Sequence, residues 1–235
     1  MTVKQSRRPD DAPAPSVLTP ELRAQAEAIA AKYPNSRSAL LPLLFLVQSV
    51  EGYVTDEGMR EVAEILDLEP AQVLSSGSFY TMLKKRPQGE YLVSVCRNIS
   101  CTHMGARKVV RALEEHLGIE AGATTQDGRF SLEAAECLAT CDGAPSMQVN
   151  YEDFYKVTPD EAVAIVEKLG RGEVVLSVRG EPVKTSKEIS HETATAGLRR
   201  PVTEMGYMPT MGGETPKQGT GPGMRPKVPG KGQES

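Results

Sequence analysis

Apolar residues in the first third of the chain recur at helical spacing. Thr19-Pro20-Glu21 reads as a helix start, with a Thr cap, Pro at the first helical position and an acid in the first turn. Leu22, Ala26, Ile29 and Ala30 follow on one stripe, and Tyr33-Pro34 stops it. Ser36 or Ser38 opens a second predicted helix carrying Leu40, Leu41, Leu44, Val47 and Val50, with Pro42 tolerated in its first turn and Gly52 at its end. Thr55 or Asp56 starts a third helix, with Met59, Val62, Ala63 and Leu66 on one face. Pro70 starts a short fourth helix through Val73 and Leu74. Leu40–Val47 holds more Leu than one helix face can bury, so we expect the surplus face to pack on another subunit. Phe79-Tyr80 falls in the linker that follows, where core packing is the plainer reading.

The period then changes. Tyr91–Val95 is β-branched and short, as a buried strand is. A helix is expected from Cys101 or Thr102, with Ala106, Val110, Leu113 and Leu117 on its stripe and Gly118 at its C-cap. Phe130 and Leu132 alternate with polar residues, and so do Met147, Val149 and Tyr151, which predicts two more strands. Thr158-Pro159-Asp160-Glu161 opens a last helix through Leu169, closed by Gly170. The order β-α-β-β-α suits a small α/β domain of thioredoxin type. The expected architecture is α+β: a flexible arm (1–18), a helical bundle (19–86), a thioredoxin-like α/β domain (87–185) and an extended, disordered Gly/Pro-rich tail (186–235). The last fifty residues hold nine Gly and six Pro. They also carry seven Lys or Arg against five Asp or Glu, so a mildly basic tail follows an acidic body. We expect that tail to wrap over neighbouring subunits.

Composition narrows the function. Among 235 residues aromatics are 5% and Trp is absent, which argues against a base-stacking platform. The formal charge of −4 argues against whole-chain attraction to nucleic acid or an anionic membrane. No run approaches the ~18 apolar residues of a membrane span, so direct membrane insertion is not expected. Arg7-Arg8 hints at a twin-arginine signal, but Pro9-Asp10-Asp11-Ala12-Pro13 follows and no apolar stretch does. A reducing compartment is expected, where structural disulfides are rare. No strand–GxGxxG–helix fingerprint or Walker loop occurs, and Gly219–Gly223 reads as linker.

Four cysteines remain: Cys96 and Cys101, then Cys137 and Cys141. Two close pairs on loops at one end of a sheet form a candidate site for an inorganic ion or cluster. Four thiolates suit a [2Fe–2S] cluster. Structural zinc, usually held on tighter knuckles, is the alternative. A thioredoxin-like dithiol would need Cys-x-x-Cys, which is absent. The N-terminus of the helix near Thr102 would aim N–H groups at the site, and Arg97 could add donors. His116 lies far along its helix, and His103 reads as a surface or supporting residue, because four Cys complete the ligand set.

Several motifs together carry a resemblance. They are Arg37-Ser38-Ala39-Leu40-Leu41-Pro42-Leu43-Leu44, Gln48, Gly52-Tyr53-Val54, Ser78-Phe79-Tyr80-Thr81-Met82-Leu83, Cys96-Arg97-Asn98-Ile99-Ser100-Cys101, Asp127-Gly128-Arg129-Phe130 and Glu136-Cys137-Leu138-Ala139-Thr140-Cys141. Over about residues 19–180 the chain resembles the E-type subunits of bacterial NADH–quinone oxidoreductase (respiratory complex I), a family of thioredoxin-like [2Fe–2S] ferredoxins. The resemblance implies that Cys96, Cys101, Cys137 and Cys141 ligate one [2Fe–2S] cluster. It implies an electron carrier within an oxidoreductase, exchanging electrons with FMN on a partner flavoprotein that also binds NADH. A further iron–sulfur subunit of the peripheral arm would be another neighbour, and the location would be the cytoplasmic face of a membrane-bound complex. Two alternatives stay open: the homologous diaphorase subunit of an NAD-linked formate dehydrogenase or hydrogenase, and a zinc-binding interaction module.

Overall fold

A computed structural model describes residues 16–199. The first helix, α1 (Pro20–Ala30), begins where Thr19 Oγ1 accepts the Leu22 N–H. Asn35, not Ser36 or Ser38, caps the next segment, accepting the Arg37 N–H and starting a 3-10 turn over Ser36–Ala39. That turn feeds α2 (Leu40–Glu51), where Pro42 falls in the first turn and needs no N–H partner. Thr55 caps α3 (Asp56–Leu66). The fourth helix, α4 (Pro70–Phe79), runs a full turn past the expected end at Leu74. Leu43, Leu44, Val47, Val62, Leu66 and Val73 are fully buried at the centre of this part. Of the expected arm, Ser16–Leu18 are tied down: the Glu61 carboxylate accepts the Val17 and Leu18 N–H groups at 2.6 and 3.1 Å, and Leu18 is buried. Residues 1–15 and 200–235, with the Gly219–Gly223 stretch, lie outside the described residues.

The start of the tail is a correction. Ser186–Arg199, expected to be extended, form a helix, α8. Thr185 and Glu188 cap it reciprocally: Thr185 N–H donates to the Glu188 carboxylate at 2.8 Å, and Glu188 N–H to Thr185 Oγ1 at 3.3 Å. The helix packs along α2 and touches α1. Ala194 is buried in the helical core, and Leu198 packs against it. Gln48 on α2 donates to Ser190 Oγ at 3.1 Å, and Lys187 Nζ reaches the Val50 carbonyl at 2.7 Å. The surplus apolar face of α2, expected to await a partner, is therefore covered by this chain's own helix.

The remainder is a thioredoxin-like α/β unit. Strands β1 (Tyr91–Cys96), β2 (Phe130–Ala135), β3 (Met147–Val149) and β4 (Glu152–Phe154) form a mixed sheet in the order β2-β1-β3-β4. The β1–β2 pair is parallel, and β3 runs antiparallel to both β1 and β4. The expected strand through Tyr151 is instead a hairpin: Asn150 and Tyr151 both take positive φ, and the chain turns back as β4. The single helix expected after β1 is two, α5 (Ile99–His103) and α6 (Ala106–Leu117). Gly105 breaks them with φ at 106°, a conformation that L side chains resist. A Thr158–Glu161 capping box starts α7 (Pro159–Gly170), which packs against α6 over the sheet. Val93, Val95, Leu113, Leu132, Met147, Val166 and Leu169 build this second core.

Replacing Ala194 by Glu should place an unpaired charge between α8 and α2 and cost several kcal/mol, on the order of 3. Ala196→Glu, on the exposed side of α8, should change stability by under about 0.5 kcal/mol. Urea denaturation of the two variants compares them directly.

Candidate metal centre

The sheet topology gathers the cysteines. Cys96 is the last residue of β1, and Cys137 follows β2 by two residues. Because β1 and β2 are parallel, both leave the sheet at the same end. Cys101 lies on α5, which Asn98 caps by accepting the Ile99 N–H. Cys141 opens a 3-10 turn, Cys141–Gly143. That loop is pinned from two sides. The Cys96 N–H donates to the Ser146 carbonyl at 3.1 Å, and Gly143 sits so close to Tyr155 that an added Cβ would meet the ring at 2.5 Å. The peptide Ala144-Pro145 is cis.

All four predicted residues come together, as two neighbouring pairs. Cys96 lies close enough to Cys101, and Cys141 to Cys137, for each thiol to act on its neighbour, and Cys101 also acts on Cys141 electrostatically. Cys96 and Cys101 are buried; Cys137 and Cys141 are exposed. Burial by itself would push the Cys96 thiol up. The Leu138 and Asn98 N–H groups, with Cys101 and Ser146, outweigh it and bring Cys96 below the ordinary thiol range. Cys141 is held above that range, first by the close approach of the Cys137 thiol and then by the charge of Cys137. A cation held between the paired sulfurs would relieve that repulsion and favour both thiolates. Backbone donors complete the setting. Ala139 N–H points at Cys137 Sγ at 3.3 Å, and Ser146 Oγ lies 3.5 Å from Cys101 Sγ. Ala139 reaches its position only with φ at 62°.

Among the described residues, no three His, Cys, Asp and Glu side chains converge on the position of one metal ion. Two thiol pairs side by side match a two-iron cluster better than a single tetrahedral zinc. His103 and His116 are exposed, as a surface reading requires. Arg97 is not a free donor: its guanidinium pairs with Glu136. The helix meant to aim its N–H groups at the site starts at Ile99 rather than near Thr102 and is only five residues long, so the N–H groups of the connecting loops do that work instead. Sequence reading missed Ser146, buried beside Cys101, and Asn98. Asn98 could have been found as an Asn before a short helical start; nothing in the sequence marks Ser146.

Four thiols paired at the loop end of a thioredoxin-like sheet define a protein of the iron–sulfur class. The model of the thioredoxin-like [2Fe-2S] ferredoxin family matches residues 26–170, and the chain belongs to that family. It is 42% identical over 187 residues to the E-type subunit of the NADH-quinone oxidoreductase of Mycobacterium tuberculosis, covering 80% of this chain and 74% of that one. It is 39% identical over 145 residues to the NADH-quinone oxidoreductase subunit 2 of Thermus thermophilus, covering 60% and 80%. Its fold is similar to part of an NAD+-reducing [NiFe]-hydrogenase chain, with a TM-score of 0.51, 21% identity, and coverage of 57% of this chain and 23% of that one. The family's cofactor is a [2Fe–2S] cluster, which sets the zinc alternative aside. Among the described residues no helix is long and apolar enough to cross a membrane.

A left-handed conformation costs an L residue about 1–2 kcal/mol, and Gly returns part of that gain through its freer unfolded state. Ala139→Gly should therefore stabilise the cluster-free chain by about 0.5–1 kcal/mol in urea denaturation, with the Cys137 contact kept because the N–H is unchanged.

Proposed function

We propose that this chain is the electron-transferring subunit of an NADH–quinone oxidoreductase and that Cys96, Cys101, Cys137 and Cys141 hold its [2Fe–2S] cluster. The Cys96–Cys101 and Cys137–Cys141 pairs would together supply its four thiolate ligands. The observation that carries this reading is the meeting of both thiol pairs at one sheet end, in a chain 42% identical to a subunit that bears the NADH-quinone oxidoreductase name. The bound cluster supplies one-electron chemistry.

The chain's own residues prepare for that charge. N–H groups of Leu138, Asn98 and Ala139 face the Cys96 and Cys137 sulfurs and stabilise thiolate. Cys96 and Cys101 belong to the same buried cluster as Val95, Met147 and Ala144, so their inner surroundings are apolar. The outer side is open, since Cys137 and Cys141 are exposed and Ile99 and Met104, flanking Cys101, are 84% and 60% exposed. Electrons enter and leave through that side, against a flavoprotein subunit that binds NADH and FMN. A further iron–sulfur subunit adjoins, and the assembly lies in the cytoplasmic peripheral arm. A hydrogenase-type diaphorase would use the same site. The similarity to the hydrogenase is one of fold, whereas the relatives at 37–42% identity bear the respiratory name, which favours the respiratory reading.

The chain purified without oxygen should be red-brown, contain about two iron and two labile sulfide per chain, and give a paramagnetic signal only after reduction. Cys101→Ser and Cys141→Ser should each lower the iron content. The native complex should contain an NADH- and FMN-binding subunit and a membrane arm. A colourless chain with stoichiometric zinc would refute the cluster assignment, and a co-purifying hydrogenase would refute the respiratory one.

A further inference from the structure

Among the described residues, one buried side-chain oxygen or nitrogen has no hydrogen-bond partner, and it is Thr140 Oγ1. Buried hydroxyls are nearly always paired, so an orphan calls for an explanation at its own position. Thr140 lies between Ala139, whose N–H faces Cys137 Sγ, and Cys141. The residue's other polar work is done by its backbone, whose carbonyl accepts the Gly143 N–H at 3.0 Å. Thr140 also occupies the cap position of the Cys141–Gly143 turn, where a threonine hydroxyl ordinarily accepts a backbone N–H. Here it makes no cap bond. The hydroxyl is thus kept from its usual local partner and removed from water, on the residue that directly precedes Cys141. No surrounding protein atom, sulfur included, takes its hydrogen.

We propose that the Thr140 hydroxyl donates its hydrogen bond to a sulfur of the bound [2Fe–2S] cluster and so raises the cluster's reduction potential. The inference rests on the assignment of the four cysteines as ligands. Its physics is one of charge. The cluster is negative and becomes more so on reduction, so a donor that stays in place stabilises the reduced state more than the oxidised one. Thr140 is then a positioning and tuning residue that donates one fixed hydrogen bond and transfers no proton. Valine has nearly the shape of threonine and lacks the donor, while serine keeps the hydroxyl.

The test uses the full-length chain loaded with its cluster as wild type, Thr140→Val, Thr140→Ala and Thr140→Ser. Iron and labile sulfide are measured first. A wild-type chain without them overturns the ligand assignment, and this inference with it. In loaded chains, redox titration followed by the paramagnetic signal should give lower midpoint potentials for Val and Ala and a near wild-type value for Ser. Exchange into heavy water should shift the iron–sulfur stretching bands of wild type and Ser more than those of Val. If Val and Ala fold but lose the cluster while Ser keeps it, the hydroxyl contact is upheld. Unchanged potentials and unchanged deuterium shifts in loaded Val or Ala would overturn the inference while leaving the ligand assignment standing. Equal cluster loss in all three variants, Ser included, would also overturn it.

Discussion

Parallel pairing of β1 with β2 is the constraint from which the candidate centre follows. Its register runs from Tyr91 opposite Phe130 to Cys96 opposite Ala135, and Arg97 N–H continues the ladder to the Ala135 carbonyl at 2.9 Å. Two strands running the same way release their chains at the same end, so segments 39 positions apart, Cys96–Arg97 and Ala135–Glu136, leave the sheet side by side. Alternation on a strand has a period of two, so a slip of one residue would turn Cys96 to the opposite face and separate the pairs. Antiparallel β3 then returns the chain over the same end. Its lead-in places the Ser146 carbonyl on the Cys96 N–H and the Ser146 hydroxyl near Cys101. No single loop could present four sulfurs in this way, and the sheet spares any of them a long excursion.

The centre is asymmetric, and the asymmetry has a use. Cys96 and Cys101 are enclosed by the sheet core, while Cys137 and Cys141 sit on a loop at the surface. Enclosure raises the electrostatic worth of each N–H donor, which is why Cys96 can be buried and still lie below the ordinary thiol range. The loop supplies its donors by bending backbone into unusual shapes. Ala139 accepts a left-handed conformation, and its N–H gains the Cys137 sulfur. Strain of that kind persists where the surroundings over-determine it, and here Gly143 against Tyr155 and the 3-10 turn do so.

Legibility from sequence followed the strength of local signals. Thr19, Thr55 and Thr158 announced their helices because a hydroxyl cap and a first-turn Pro or acid act within four residues. The cysteines were legible because thiols in two close pairs have few structural uses. The tail helix was missed because composition was read over fifty residues. All but one of its Gly and Pro fall beyond Arg199, and the capping box Thr185-Ser186-Lys187-Glu188 straddles the edge of that window. The β3–β4 hairpin was missed because its turn uses Asn150 and Tyr151 with no Gly, so alternation seemed to run on. Asn150 bears this conformation because its side chain is fully used. It accepts from Leu92 N–H at 2.8 Å and donates to the Glu90 and Lys184 carbonyls at 2.8 and 2.7 Å. Partners so remote in sequence leave no local trace.

Those same bonds show how the two cores are joined. The chain passes from helices to sheet through residues 84–90 and returns from sheet to helices through 184–190. The two passages run together, with Ser186 N–H on the Glu90 carbonyl at 2.9 Å and Asn150 bridging both. At the helical end Gln48 repeats the device. Its carbonyl accepts Lys84 N–H at 2.7 Å, and its amide donates to Met82 O at 3.2 Å and Ser190 Oγ at 3.1 Å. A hinge through one passage would have to break bonds to the other, and those through Gln48 and Asn150 are at least partly shielded from water, where an orphaned amide is costly. The helical part is therefore clasped to the sheet by two strands of chain, with α8 as the clasp's anchor. The clasp holds β1 at its Tyr91 end, and the thiol pairs gather at its Cys96 end, so the joint and the candidate centre sit at opposite ends of the same strand.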